Sequence, residues 1–155
     1  MMKKTLIALS LSLASCLSLA SVSAHAQELP TLGSLQQDSA ASQAFTVMQG
    51  KHTLPAWVKK GSTDSPTQTV RLGGKEYWVF SACKPHDCAA EQLAMLYSPQ
   101  SHTMAGVLSH SNEDGTAQQL TWLNVSDDLS IDGKTVLFAA LSGSLANHPD
   151  SFNYQ

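Results

Sequence analysis

Two cysteines enclose four residues in Cys83-Lys84-Pro85-His86-Asp87-Cys88. These residue types at this spacing allow several chemistries. Oxidised, the pair closes a small covalent ring with an imidazole and a carboxylate near its tip. Pro85 fixes one φ angle of that ring, and a preorganised loop loses less entropy on binding. The same bridge could simply pin the end of a hairpin, and spacing alone leaves both roles open. Cys83, His86 and Cys88 are also zinc-ligand types, but no fourth ligand stands nearby in the chain. A redox dithiol normally has two residues between its sulfurs, not four. A catalytic thiol would need one cysteine to be free.

The compartment bears on that choice, and the N-terminus speaks to it. Met1 to Lys4 form a short positive start, Thr5 to Leu19 are apolar or small, and Ala24-His25-Ala26 is an A-x-A site. This pattern is that of a cleaved secretory leader over residues 1–26, leaving residues 27–155 as one domain with room for a core. Leu13-Ala14-Ser15-Cys16 offers the alternative of a lipoprotein anchored through Cys16. The apolar run past Cys16 and the A-x-A site favour cleavage instead. Loss of the leader removes Cys16 and leaves Cys83 and Cys88 of the 3 cysteines, an even count that reads as a disulfide in an exported chain. It also removes Lys3 and Lys4, so 9 − 2 = 7 basic residues face 12 acidic ones, a net charge of −5 with histidines neutral. That balance disfavours nucleic acid and anionic membrane surfaces and suits a cationic protein partner.

The remaining chemistry-bearing residues have plainer readings. His148-Pro149-Asp150 matches a chaperone tripeptide but reads as a turn. Asn124-Val125-Ser126 is a chance-level glycosylation sequon. Asp127, Asp128 and Asp132 lack a full calcium-loop pattern and suit a helix start. His52, His102 and His110 read as solvated. Trp57, Trp78 and Trp122 could be stacking platforms for a glycan, although tryptophans on strands are more often core. No cofactor is implied.

Stepping along the chain shows which elements must hold the ring. Gln27 to Gln43 reads as beginning in a loose arm, and Ser39 to Met48 as a helix presenting Ala44, Phe45 and Met48, stopped at Gly50. Leu54-Pro55-Ala56-Trp57-Val58 is a compact apolar anchor. Thr67–Leu72 and Lys75–Cys83 flank Gly73-Gly74, a tight hairpin signal. Tyr77-Trp78-Val79-Phe80 suggests a strand buried on both faces. Glu91–Ser98 alternates Leu93, Met95 and Tyr97 with Ala94 and Leu96. Thr103–Ser109 and Gln118–Val125 are further strands, and Lys134–Leu145 is a helix presenting Val136, Leu137, Phe138, Leu141 and Leu145. The fold class is α+β: a single antiparallel sheet of about five strands with helices from both ends of the chain packed on it. The ring sits at one strand junction.

The ring, Leu54 to Val58 with Gly61, Gln68-Thr69-Val70, Leu120 to Val125, Ser130 to Leu141 and the closing His148-Pro149-Asp150 and Phe152-Asn153-Tyr154 together resemble the bacterial inhibitor of vertebrate lysozyme family. The resemblance covers nearly all of the exported domain and is least over Gln27 to Gln37 and Asn112 to Gln119. It implies an α/β sandwich from which the disulfide-closed loop protrudes. It implies a periplasmic protein, frequently a homodimer, that occludes c-type lysozyme and so evades host defence, without catalysing a reaction. His86 is then the residue that reaches the catalytic carboxylates, with Lys84, Pro85 and Asp87 beside it in the lysozyme-binding loop. The rival readings are a cell-wall enzyme using His86 and Asp87, for which only Ser81 offers a nearby nucleophile, and a peptidoglycan- or glycan-binding module.

Overall fold

The computed structural model describes residues 28–155. The expected leader, its expected cleavage point and Cys16 lie outside the described residues. Among the described residues, no helix is long and apolar enough to cross a membrane.

One antiparallel sheet organises the chain. Its interior includes the hairpin of β3 (Lys75–Cys83) and β4 (Glu91–Ser98), paired from Trp78↔Tyr97 to Cys83↔Gln92. β5 (Thr103–Ser111) pairs with β4, and β6 (Gln118–Leu123) with β5. The other side of β3 carries β1 (Thr63–Asp64) and β2 (Gln68–Leu72) in succession. These two are pieces of one edge strand interrupted around Pro66, which has no N–H to give the ladder. The sheet therefore has six strands where the sequence suggests about five. β2 turns into β3 through Gly73 and Gly74, both at positive φ (54° and 74°). L side chains rarely adopt that conformation, and two-residue hairpins often require it.

Alternation on the interior strands sorts side chains into two cores. Phe80, Ala82, Leu93, Met95 and Tyr97 face the N-terminal helices. Tyr77, Val79, Ala94 and Leu96 face the C-terminal ones. β3 and β4 are thus buried on both faces, which is why they read as nearly continuous apolar runs.

On the first face, α2 (Ser39–Gln49) is capped by Asp38, whose Oδ1 accepts the Ala41 N–H at 2.8 Å, and it buries Ala41, Ala44, Phe45 and Met48. It lies close against β5: a Cβ at Gly106 would stand 2.9 Å from Met48 Sδ. The segment before it is no loose arm. Residues Leu32–Leu35 form a single helical turn, α1, capped by Thr31, and Leu32 and Leu35 are buried in the same core. Their burial provides the ordering energy that a polar, small-residue composition does not advertise. The short α3 (Trp57–Lys60) follows Pro55 and buries Val58.

On the second face, α4 (Asp132–Ser142) ends at Gly143, which adopts the left-handed conformation (φ 78°), and α5 (Ser144–Asn147) begins after it. The expected single helix to Leu145 is therefore broken, a common use of glycine at a helix C-terminus. Val136, Leu137, Leu141 and Leu145 are buried as expected, but Phe138 is exposed and Ala139 takes the inward position. The C-terminal tail closes onto β2, where Tyr154 N–H donates to the Arg71 carbonyl at 2.8 Å.

Candidate functional site: the disulfide-closed tip of the central hairpin

Residues 84–90 connect β3 to β4, so the ring extends two inner strands beyond the sheet. Cys83 and Cys88 are disulfide-bonded, with Cα atoms 4.8 Å apart. The Lys84 N–H donates to the Glu91 carbonyl at 3.0 Å, which carries the β3–β4 ladder one step into the loop. The Asp87 N–H then donates to the Lys84 carbonyl at 3.0 Å and closes a four-residue turn. Pro85 occupies the second position of this turn and His86 the third. His86 has φ +65°, outside glycine's usual monopoly. Proline followed by a positive φ is the pattern of a type II turn. A non-glycine residue there carries a cost of roughly 1–2 kcal/mol, which its surroundings must offset.

His86 is exposed, whereas Pro85 and Asp87 are half-buried. The loop's polar side-chain bonds join Lys84 to Asp87 and Glu91, and none involves the His86 ring among the described residues. The imidazole therefore stands at the tip with both nitrogens available. It does not pair with Asp87, whose carboxylate faces Lys84 instead. The histidine–carboxylate dyad of the enzyme reading is not assembled.

Lys84 is neither free nor merely solvated. Its Nζ lies 3.1 Å from Asp87 Oδ2 and 3.0 Å from Glu91 Oε1. Glu91 in turn accepts the Trp57 indole N–H on Oε2 at 2.7 Å. The bond from Trp57, followed by the Lys84 ammonium, holds the Glu91 carboxyl below the ordinary carboxylate range. Glu91 and then Asp87 hold the Lys84 ammonium above its ordinary value. The two shifts describe one ion pair from its two ends and agree in direction. Glu91 and Trp57 belong to the site, yet neither has a spacing signature. The available signal was chemical: a half-buried tryptophan needs a partner for its N–H, and Glu91 is an acid at the first position of a buried strand.

Beside the ring runs an open groove of about 790 Å³, bounded by Lys84, Asp87, Glu91 and His110 and, across it, by Glu113 in the β5–β6 turn. Apart from His110 and the Trp57 indole N–H, the other residues considered from sequence do not converge here. Trp57 and Trp78 pack on the first core and Trp122 on the second, so the three cannot form one stacking row. His102 is not simply solvated, since its Nδ1 lies 2.9 Å from the Tyr97 hydroxyl. Asn124 donates from Nδ2 to the Met104 carbonyl at 2.8 Å. Asp132 lies in the first turn of α4, and His148-Pro149-Asp150 leads into a short 3-10 turn.

Proteins named inhibitor of vertebrate lysozyme from Escherichia coli K12 and from Escherichia coli O157:H7 are each 53% identical over 133 residues, covering 86% of this chain and 85% of theirs. A protein of the same name from Pseudomonas aeruginosa is 32% identical over 76 residues, covering 48% of this chain and 50% of its own. The family model described as inhibitor of vertebrate lysozyme matches residues 40–140, a span that holds the ring, all six strands of the sheet and most of α4. The chain belongs to the inhibitor of vertebrate lysozyme family.

Proposed function

We propose that this protein is a periplasmic inhibitor of c-type lysozyme, and that it works by seating the Cys83–Cys88 ring in the enzyme's active-site cleft. The observation that carries the reading is His86: an exposed imidazole without an internal partner, at the tip of a cross-linked loop rooted in the two central strands. Lysozyme cleaves its glycan with a protonated glutamic acid and an ionised aspartate about 5–5.5 Å apart. An imidazole has a nitrogen on each side and can bridge two such groups. One nitrogen donates to the carboxylate, and the ionised acceptor makes that bond charge-assisted. Pro85 leads the ring into the cleft with His86. Lys84 and Asp87 flank the tip and approach the cleft rim. No bond is cleaved in either partner, so the action is occlusion.

Export agrees with this reading. A disulfide is stable where the environment oxidises, and a secretory leader delivers the chain there. The net charge of −5 steers it towards a cationic enzyme.

The test is a cell-wall lysis assay with purified protein and c-type lysozyme. The native chain inhibits, and His86→Ala loses most of that inhibition, about a hundredfold or more, while keeping its circular dichroism and melting temperature. Full inhibition by a folded His86→Ala variant rejects the plug mechanism. Turnover of peptidoglycan by the protein itself would instead support an enzyme.

A further inference from the structure

The tip conformation needs an explanation that the disulfide alone does not supply. A six-residue ring leaves its inner dihedrals several choices, yet His86 is held at φ +65°. The turn that imposes this angle runs from Lys84 to Asp87. Both of its end residues are tied by side chains as well as by the turn's own hydrogen bond: Lys84 Nζ reaches Asp87 Oδ2 at 3.1 Å and Glu91 Oε1 at 3.0 Å. Glu91 is fixed in its turn by the Trp57 indole at 2.7 Å, from α3 on the body of the domain. The chain Trp57–Glu91–Lys84–Asp87 is therefore a brace from the helical layer to the far end of the turn.

We propose that Glu91 and Trp57, both outside the ring, are positioning residues of the inhibitory site, holding His86 in its binding-competent backbone conformation in the free protein. This rests on the plug reading and deepens it. The physical reason is a population argument. A histidine released from the turn relaxes towards negative φ, where most residues lie. If only a fraction of free molecules keeps the competent tip, apparent affinity falls by that fraction. The brace keeps the fraction near unity by closing the turn at both ends. Glu91 itself need not touch the partner for its loss to weaken binding.

Two substitutions remove the brace with little change of volume. Glu91→Gln removes the charge that holds Lys84. Trp57→Phe keeps a ring on the core but removes the N–H that orients Glu91. Two measurements follow them. The first is amide hydrogen exchange in the free protein. Exchange at the Asp87 N–H, the donor that closes the turn, speeds up in both variants, whereas exchange at Phe80 and Met95 in the central strands stays as in the native chain. Unchanged exchange at Asp87 overturns the brace.

The second is affinity for c-type lysozyme, in the native background and with His86→Ala. Glu91→Gln costs about three- to tenfold in the native background and less than twofold when His86 is absent, because its effect passes through that residue. Trp57→Phe costs about two- to threefold, since Lys84 still holds Glu91. An equal loss in both backgrounds overturns the proposal and makes Glu91 a direct contact. If the native chain does not inhibit c-type lysozyme at all, the plug reading fails on that result alone, and the exchange experiment still decides whether Glu91 and Trp57 hold the tip.

Discussion

His86 and Lys84, two residues apart in the same ring, have opposite fates. The imidazole has no internal partner among the described residues, while the ammonium is shared between two carboxylates. Their responses to pH separate accordingly. Glu91 has a carboxyl held below its ordinary value of 4.5, so its contribution is present above that value and is lost as pH falls through the lowered one. Lys84 is held above its ordinary value of 10.5, so its contribution is present below 10.5 and is lost as pH rises through the raised one. Across the histidine range the brace is therefore constant, and any change in affinity there comes from imidazoles or from the partner. An imidazole placed beside a partner's carboxylates is favoured in its charged form, so on the plug reading binding weakens as pH rises. The measurement is the inhibition constant of the native chain and of His86→Gln against pH. The native chain loses affinity with rising pH beyond any change seen in the glutamine variant. Parallel profiles would mean that His86 acts by shape while neutral. His110, opposite Glu91 on β5, is the other imidazole near the ring, and His110→Gln is the control.

At the scale of the element, the ring is a modest stabiliser and a strong local constraint. Closing so short a loop restricts the unfolded chain by roughly 2 kcal/mol in the entropy model. Replacing both Cys83 and Cys88 with serine therefore lowers global stability by about that amount, measured by denaturant unfolding. The same variant binds lysozyme more weakly, because the tip must be ordered during association. An unchanged affinity would show that the turn and the brace suffice without the bridge. The placement of the ring at the end of β3–β4 matters for the same reason. Those strands each have a neighbour on both sides in the sheet and are covered on both faces, so they give the ring a stiff base. A loop on the edge piece β1 would inherit far less rigidity.

At the scale of the whole molecule, charge and layering come into play. The seven basic residues against twelve acidic ones in residues 28–155 give the domain a net negative field. Glu113 and the adjacent Asp114 add to it at the turn across the groove from the ring. Asp114 has its carboxyl held below the ordinary range by Thr116 and remains ionised at neutral pH. Association with a cationic lysozyme should then slow steeply as salt rises, while dissociation changes little, as stopped-flow kinetics across ionic strengths would show. A salt-independent association rate would remove steering from the account. The two helical layers contribute differently. The C-terminal layer packs on one face and ties to the edge strand β2, whereas the N-terminal layer packs on the other and reaches the loop through Trp57.

Much of this architecture was legible in the chain itself, because its signals are local. Alternation along Glu91–Ser98 named the two faces of β4 correctly, Gly73-Gly74 named a hairpin, and the two cysteines left outside the expected leader named the bridge. Each depends on residues within a few positions of one another, where backbone geometry dictates the period. Docking of Leu32 and Leu35 was not legible, since two leucines in a polar stretch have no period to display. Nor was the break at Gly143, which interrupts an otherwise continuous helical pattern. The brace was hidden most completely. Trp57 and Glu91 are 34 positions apart and individually unremarkable, and only the packing of α3 beside the start of β4 brings an indole N–H to a carboxylate. The chain by itself determined what the tip carries. The tertiary structure decided that the imidazole stands free while its neighbours are tied, because that outcome depends on which distant partners the folded layers bring within reach.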